Sequence, residues 1–271
     1  MGTADDGSVV GRATLLLEIV EAAGCIRQAD LARDAGLPKP TVRRIAADLI
    51  DRGLLSRCPD GYELGPRLVS LGAAALARHP FRAATAPHVQ DLLARTGEVA
   101  FVQTVEPDLT MVTLHVAYGH SRAAAVSATL DGWPTVEPAE PAILFKAAGR
   151  IVFAEHPDRV DALLAAGLRR RTRHSAPSRR TLLAAINATL DRGTAVEREE
   201  HTPGWSCIAS GIRDHDDHVV GIVGVIGRSG SWDPERLQGP ITSATDALSA
   251  AIPLALPEAR ARRALERPPS S

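Results

Sequence analysis

Between residues 28 and 67 two short helical patterns are joined by a tight turn and followed by a hairpin signal, an order that leaves few folds open. The turn is Ala35-Gly36-Leu37-Pro38-Lys39-Pro40. Beyond it Val42, Ile45, Ala46, Leu49 and Ile50 recur at helical spacing and form one apolar stripe. Arg44 lies opposite that stripe, with Thr41 and Arg43 flanking. Gly36 stands where a left-handed helix cap is expected. Pro40 suits the first turn of the next helix, where its missing N–H is not needed. Upstream, Ala13, Leu16, Leu17 and Val20 make an amphipathic helix ending near Gly24, and Leu31 and Ala32 face inward from a second helix over 28–35. A helix that is apolar behind and basic in front, introduced by a short helix and a glycine turn, has the pattern of a helix-turn-helix recognition helix. Leu54-Leu55-Ser56-Arg57 and Tyr62-Glu63-Leu64 then flank Asp60-Gly61, a hairpin turn signal. Together these predict a winged helix-turn-helix.

That pattern points to double-stranded DNA. Phosphates supply most of the affinity in such complexes, and base edges supply the sequence choice. Arg43 and Arg44 occupy the N-terminal half of the recognition helix, the part that enters the major groove. An arginine there can hold guanine O6 and N7 in a two-pronged fork. Thr41 suits a phosphate or a thymine methyl. Lys39, Arg12 and Gln28 are candidates for phosphate, and Arg57 in the wing for the backbone or minor groove. The plain alternative for each arginine is a solvated side chain or a surface pair with Asp48 or Asp51.

Bulk properties limit the other options. The formal net charge of the 271 residues is −1, so no global field draws the chain to polyanions, and DNA affinity must come from local clusters. Aromatic residues are only 3%, so the core is built from Ala, Leu, Val and Ile. Cys25, Cys58 and Cys207 are far apart, odd in number and without paired metal spacing, which predicts reduced thiols in a cytoplasmic protein. No signal segment or bilayer-spanning stretch is present in the sequence, so no membrane partner is expected. His215-Asp216-Asp217-His218 falls in a predicted turn, and no metal is expected there. No nucleophile elbow, phosphate loop or zinc motif is found, so neither enzyme activity nor a cofactor is expected.

Residues 1–8 and 257–271 read as disordered tails, and 9–65 as the winged domain. A helix over 66–79, carrying Leu68, Leu71 and Ala75, reads as the connection to a second domain over 80–256. There, helices are expected at 81–96, 142–154, 157–166, 178–191 and 234–252. Strands are expected at 98–106, 110–116, 123–129, 206–212 and 218–226. The irregular order favours an antiparallel sheet with helices beside it. The whole is α+β.

The segments Ala29 through Leu37, Lys39-Pro40-Thr41-Val42-Arg43-Arg44-Ile45, Leu49 through Leu55 and Tyr62-Glu63-Leu64-Gly65 resemble the isocitrate-lyase-regulator (IclR) family of bacterial transcription regulators. So do Ala147-Ala148-Gly149-Arg150, Arg192 through Val196 with Glu199-Glu200, Gly204 and Cys207-Ile208-Ala209. The resemblance covers about residues 9–255 and rests on the order and spacing of these segments. It implies a winged helix-turn-helix joined by a helix to a GAF-like effector-binding domain. It also implies a homodimer or homotetramer reading paired half-sites, and control by a small organic effector, with repression the expected mode. The alternatives are a DNA-binding architectural protein with an unresponsive sensor, or an enzyme on a GAF-like domain.

Carried over position by position, the family's effector pocket falls on Ala147, Ala148, Glu197, Trp205, Cys207, Gly224 and Ile226, with Trp133 in a preceding loop. Leu144 stands where the family often has histidine, Gly224 and Ile226 where it often has small hydroxyl residues, and Arg150 where it has lysine. A pocket poorer in hydrogen-bond donors, with flat apolar surface from Trp133 and Trp205, predicts an effector that is aromatic or partly apolar rather than a small organic acid.

Overall fold

The computed structural model of the chain describes residues 8–129, 136–176 and 178–251. Trp133 and the two tails, apart from Ser8, lie outside these residues. The chain divides between Arg78 and His79 into two units.

In the first unit, helix α1 (Val9–Ala23) begins at Ser8, whose hydroxyl accepts from the Gly11 N–H at 2.9 Å. Ser8, expected in the tail, is therefore the helix cap. Helix α2 (Gln28–Asp34) leads through Gly36, at φ 64°, into α3 (Lys39–Asp51), with a proline in the first turn of α3. The residues that α3 buries are Val42, Ile45, Ala46 and Leu49, the predicted stripe. They pack with Leu16, Val20, Leu31, Leu55 and Tyr62 in one core. Strands β1 (Leu55–Cys58) and β2 (Gly61–Leu64) form the antiparallel wing. Ile26 adds to its edge: the Ile26 N–H donates to the Tyr62 carbonyl and the Tyr62 N–H to the Ile26 carbonyl, both at 2.9 Å. A Cβ on Gly61 would fall 2.0 Å from that Ile26 carbonyl oxygen, so only glycine allows the approach. Helix α4 (Pro66–Ala77) follows, and none of its residues is buried.

The cysteines depart from expectation. Cys25 and Cys58 form a disulfide across 33 residues, and only Cys207 is free. Distance along the chain concealed this. The Ile26 bridge to Tyr62 brings the α1–α2 loop against the wing, and the hairpin returns Cys58 to the same place.

The second unit opens with α5 (Pro80–Thr96) and is built on a six-stranded antiparallel sheet. Its strands are β3 (Val99–Val105), β4 (Met111–Ala117), β5 (Val136–Glu137), β6 (Thr194–Arg198), β7 (Trp205–Arg213) and β8 (Val219–Arg228), in the order β5-β4-β3-β8-β7-β6. Helices α7 (Ala147–Ala154), α8 (Pro157–Ala165) and α9 (Arg179–Arg192) share a core with Phe101, Val105, Cys207, Ala209 and Ile222 on one sheet face. The alternate residues Val102, Ile208, Val223 and Val225 point the other way and are equally buried. There α5 and α10 (Pro234–Ala251) pack on each other and on the strands. A sheet covered on both faces explains why every residue of β3 is buried rather than alternate ones.

Two expectations are corrected, and two strands are added. Residues expected as a strand over 123–129 belong to helix α6 (His120–Thr129), where the run Ala123-Ala124-Ala125 favours helix. The single helix expected over 142–154 is a 3-10 turn (Pro141–Phe145) and α7, separated by an extended Lys146 at φ −93°, ψ 145°. The edge strands β5 and β6 were not anticipated; both are short, and Glu197, buried within β6, breaks its apolar pattern.

Candidate functional site

In the first unit Lys39, Arg43 and Arg44 are exposed and Thr41 is half-buried. Arg43 and Arg44 stand off the face that buries Val42, Ile45, Ala46 and Leu49, and among the described residues neither forms an ion pair with Asp48 or Asp51. In the wing, the Arg57 guanidinium lies over the Tyr62 ring, 4.9 Å from its centroid. The Tyr62 hydroxyl donates to Gln28 Oε1 at 3.2 Å, so Gln28 already has a partner within the fold. Arg12 is half-buried on α1.

In the second unit the strand register brings most of the candidate pocket residues together. Glu197 pairs with Cys207, Cys207 with Ile226, and Ala209 with Gly224. Residues directly opposite in neighbouring strands share a face, so Glu197, Cys207 and Ile226 form a row across β6, β7 and β8. Ala147 and Ala148, in the first turn of α7, belong to the same core as Cys207, and Ile226 packs against it. Trp205, two residues before Cys207 on that face, is fully buried with Val99 and Val126, and Ile226 touches this group as well. Gly224 has a packing reason: a Cβ there would lie 2.6 Å from Cζ of Phe101, whose ring occupies the space.

Sequence reasoning missed the polar groups of this face. Gln103 of β3 is 1% exposed and donates through Nε2 to Thr113 Oγ1 at 3.3 Å and to Glu137 Oε1 at 3.0 Å. Its Oε1 is buried and accepts no hydrogen bond from the described residues. Lys146, in the extended link before α7, donates to the other Glu137 oxygen at 2.7 Å. Burial raises the Glu197 carboxyl from 4.5 to about 7, although its Oε2 accepts from the Glu200 N–H at 2.9 Å. Burial, reinforced by the charges of Lys146 and Arg171, lowers His201 from 6.5 to about 3, so its ring is neutral. Burial also pushes the Cys207 thiol up, which makes it an inert small hydrophobe. Gln103 was the available signal, a lone amide inside Val-Ala-Phe-Val-Gln-Thr-Val.

Arg150 is a frame rather than a wall. It is 2% exposed and donates to the Leu144 carbonyl and the Val196 carbonyl, both at 3.1 Å, and to Glu200 Oε2 at 2.6 Å. It thus ties together the 3-10 turn, β6 and the loop that follows β6. Gly149 lies against the Ile143 backbone, where a Cβ would fall 2.1 Å from the carbonyl oxygen. The loop after β6 is held by the Thr172 and Ser175 hydroxyls, which donate to the Glu199 and Glu200 carbonyls at 2.6 and 2.7 Å. Its far end is fastened by the Gly204 N–H donating to the Glu199 carboxylate at 2.8 Å. Among the described residues no cluster of His, Cys, Asp or Glu could hold a metal, and no helix is long and apolar enough to cross a membrane.

Residues 73–252 match the family described as bacterial transcriptional regulator IclR C-terminal, and residues 9–59 the IclR helix-turn-helix domain. The chain is 25% identical over 201 residues to a glycerol operon regulatory protein of Streptomyces griseus, covering 73% of this chain and 75% of that one. It is 27% identical over 218 residues to an HTH-type transcriptional regulator of Mycobacterium tuberculosis, covering 79% and 80%. Among solved structures, an IclR transcriptional regulator of Alicyclobacillus acidocaldarius superposes with a TM-score of 0.72 at 20% identity, covering 89% of this chain and 97% of that one. An IclR homologue of Microbacterium hydrocarbonoxydans complexed with 4-hydroxybenzoate superposes at 0.69 with 18% identity, covering 90% and 98%.

Proposed function

Because the chain belongs to the IclR family of bacterial transcriptional regulators, with a DNA-binding helix-turn-helix and a C-terminal effector domain, we propose that it represses transcription from an operator read by α3 and the wing, and that a small organic effector in the second unit changes that grip. The observation that carries this reading is the division of α3 into a buried apolar face and an exposed face bearing Arg43 and Arg44. In this reading Arg44 and Arg43 contact base edges, Thr41 contacts a phosphate or a thymine methyl, and Lys39, Arg12 and Arg57 contact the backbone. Gln28 offers its amide N–H groups to a phosphate while its Oε1 orients Tyr62 and, through it, Arg57. A second copy is expected for a palindromic site. An apolar helix with no buried residue supports one, since α4 leaves Val69 75% and Leu71 48% exposed.

The effector would be neutral overall and partly apolar. Charges around the site are already balanced, Lys146 by Glu137 and Arg150 by Glu200, and an ion with no partner of its own would meet a large desolvation penalty. Phe101, Trp205 and Ile226 supply apolar surface, and the Gln103 Oε1 atom supplies an acceptor for a ligand hydroxyl. The Microbacterium homologue, at its low identity, shares the fold only; its 4-hydroxybenzoate has an aromatic ring of the kind inferred here but carries a carboxylate, the group that the balanced charges of this site disfavour.

The test uses full-length protein and a duplex selected by it from a random-sequence library, read by fluorescence anisotropy. Arg44→Ala should abolish selective binding with circular dichroism unchanged. Lys39→Ala should weaken all sequences alike and reduce the salt slope by about 1. Full-strength selective binding by the Arg44 variant would overturn the assignment. A panel of aromatic alcohols and short-chain acids then tests the effector: only the former should shift the melting temperature and the affinity for the duplex. A response confined to acids such as pyruvate or glyoxylate would refute the neutral site.

A further inference from the structure

We propose that Cys25 and Cys58 are a reversible redox site that sets the wing and thereby the affinity for DNA; this rests on the DNA-binding reading above. The pair joins the α1–α2 loop to the last residue of β1, immediately after Arg57. Disulfides are rare in proteins that work in reducing compartments, where those that occur are usually transient and redox-sensing. A regulator that must meet DNA works in such a compartment, so a permanent structural bond is the less fitting explanation. Cys25 is exposed and Cys58 half-buried, which leaves the bond open to attack from solvent, whereas Cys207 is sealed in the core of the other unit.

The surroundings show what the bond controls. Without it the wing is still attached, because the two Ile26–Tyr62 backbone hydrogen bonds remain, as does the exposed Arg27–Asp60 ion pair at 3.2 Å. The fold therefore survives reduction, and the change is in freedom rather than in architecture. With the bond in place the chain on both sides of Arg57 is fixed, by the disulfide at Cys58 and by the core at Leu55. Arg57 is held over Tyr62, its cross-strand partner, and Tyr62 is in turn anchored on Gln28 at the start of α2. A side chain ordered before it meets DNA gives up less entropy on binding. The oxidised form is thus the tighter binder, and reduction releases the grip.

The chemistry is balanced with a hydroperoxide as oxidant and a dithiol as reductant. One cysteine thiolate attacks the peroxide, taking one oxygen as a sulfenic acid while the remainder leaves as alcohol or water. The second thiolate displaces that hydroxyl, which takes a proton and leaves as water, and the S–S bond forms. In reverse, one thiolate of the dithiol attacks the bond and its second thiolate resolves the mixed disulfide. The dithiol becomes a disulfide, and two electrons and two protons end on Cys25 and Cys58.

The experiment compares full-length protein oxidised with hydrogen peroxide and reduced with dithiothreitol, on a library-selected duplex, by anisotropy. Alkylation and intact mass give the thiol state of each sample. The oxidised protein should bind about three- to tenfold more tightly, the gain expected when one or two side chains arrive already ordered. The Cys25→Ser/Cys58→Ser variant should bind like the reduced protein under both conditions. Equal affinity in the two states, or a response that survives the double substitution, would overturn the redox site while leaving DNA binding intact. Failure to bind any duplex in either state would remove the DNA-binding reading and this inference with it. Cys25 and Cys58 that alkylate fully after peroxide treatment would also overturn it, whatever the DNA result.

Discussion

Replacing Arg150 with methionine tests whether the second unit is held by the frame described above. Methionine keeps most of the length and apolar stem but removes every donor. Three acceptors then lose their partner: two carbonyls, of Leu144 and Val196, and the Glu200 carboxylate, whose side chain is 17% exposed. Removing one member of a buried ion pair typically destabilises by about 3–5 kcal/mol, since the other charge stays behind. Water can reach Glu200 at its open side, and methionine restores some packing, so the lower end of that range, about 3 kcal/mol, is the expected loss. For a unit of this size each kcal/mol moves the melting temperature by about 2–4 °C, giving a fall of about 6–12 °C. Differential scanning calorimetry on the full chain is the assay, because two units can melt separately. The transition that moves should be the one an effector stabilises. Arg150→Lys keeps a charge that reaches one acceptor and should recover part of the loss. In a double-mutant cycle with Glu200→Gln the combined loss should be clearly smaller than the sum of the two single losses. A melting temperature unchanged within about 2 °C in Arg150→Met would refute the argument, because a buried three-way donor cannot be removed without consequence.

Two further expectations follow from the same face of the sheet. Glu197 has a folded pKa of about 7 against an ordinary 4.5, so between these values the folded protein keeps a proton that the unfolded chain has released; its contribution to stability is full below about 4.5 and is lost as pH rises through about 7. His201, lowered to about 3, acts oppositely and loses stability as pH falls below its ordinary 6.5; it is common to both proteins, so urea unfolding of Glu197→Gln should show a gain over wild type at pH 8 that shrinks at pH 5, and an equal gain at both would refute the Glu197 assignment. Gly224→Ala should destabilise the second unit by about 1–3 kcal/mol through its clash with the Phe101 ring and with the Ile208 carbonyl oxygen 2.8 Å from the added Cβ, and Phe101→Leu should relieve only the first part; a neutral Gly224→Ala in thermal melts would refute the clash.

The first unit was legible because its signals are local. The stripe of α3, the glycine at positive φ and the Asp60-Gly61 turn each act within a few residues, and each appears where periodicity and turn chemistry put it. The helix at 120–129 was misread because three alanines amid short apolar runs fit either period, and helix propensity settled the matter. The disulfide was illegible for the opposite reason: it closes across 33 residues, and only the Ile26–Tyr62 pairing, itself non-local, reveals that its ends meet. In the second unit the resemblance to a family supplied residues that the strand register assembles on one face, but not the polar groups among them. Lys146 stood beside the motif as one more surface-type residue. Its value comes from Glu137, which lies on an edge strand of two residues that no pattern could announce.

How an effector could act through this site follows from what each polar pair is attached to. A ligand shifts a protein only by the difference in its interaction with two states, so it must engage a group whose partners can change. The Arg150–Glu200 pair is poorly suited, since Arg150 also holds two backbone carbonyls and its loss would loosen the fold. The Lys146–Glu137–Gln103 group is better suited. Lys146 sits in the one extended residue between the 3-10 turn and α7, so a change in its hydrogen bonds can rotate the start of α7 without breaking a helix. Gly149 lets α7 lie against the Ile143 backbone, so a movement of α7 is passed to the turn at van der Waals range rather than absorbed by side chains. Gln103 offers a buried acceptor at the same place. A ligand hydroxyl donating to it would satisfy an atom that otherwise remains without a partner, a gain of about 1–3 kcal/mol, and it would move the equilibrium by as much of that gain as the other position of α7 withholds.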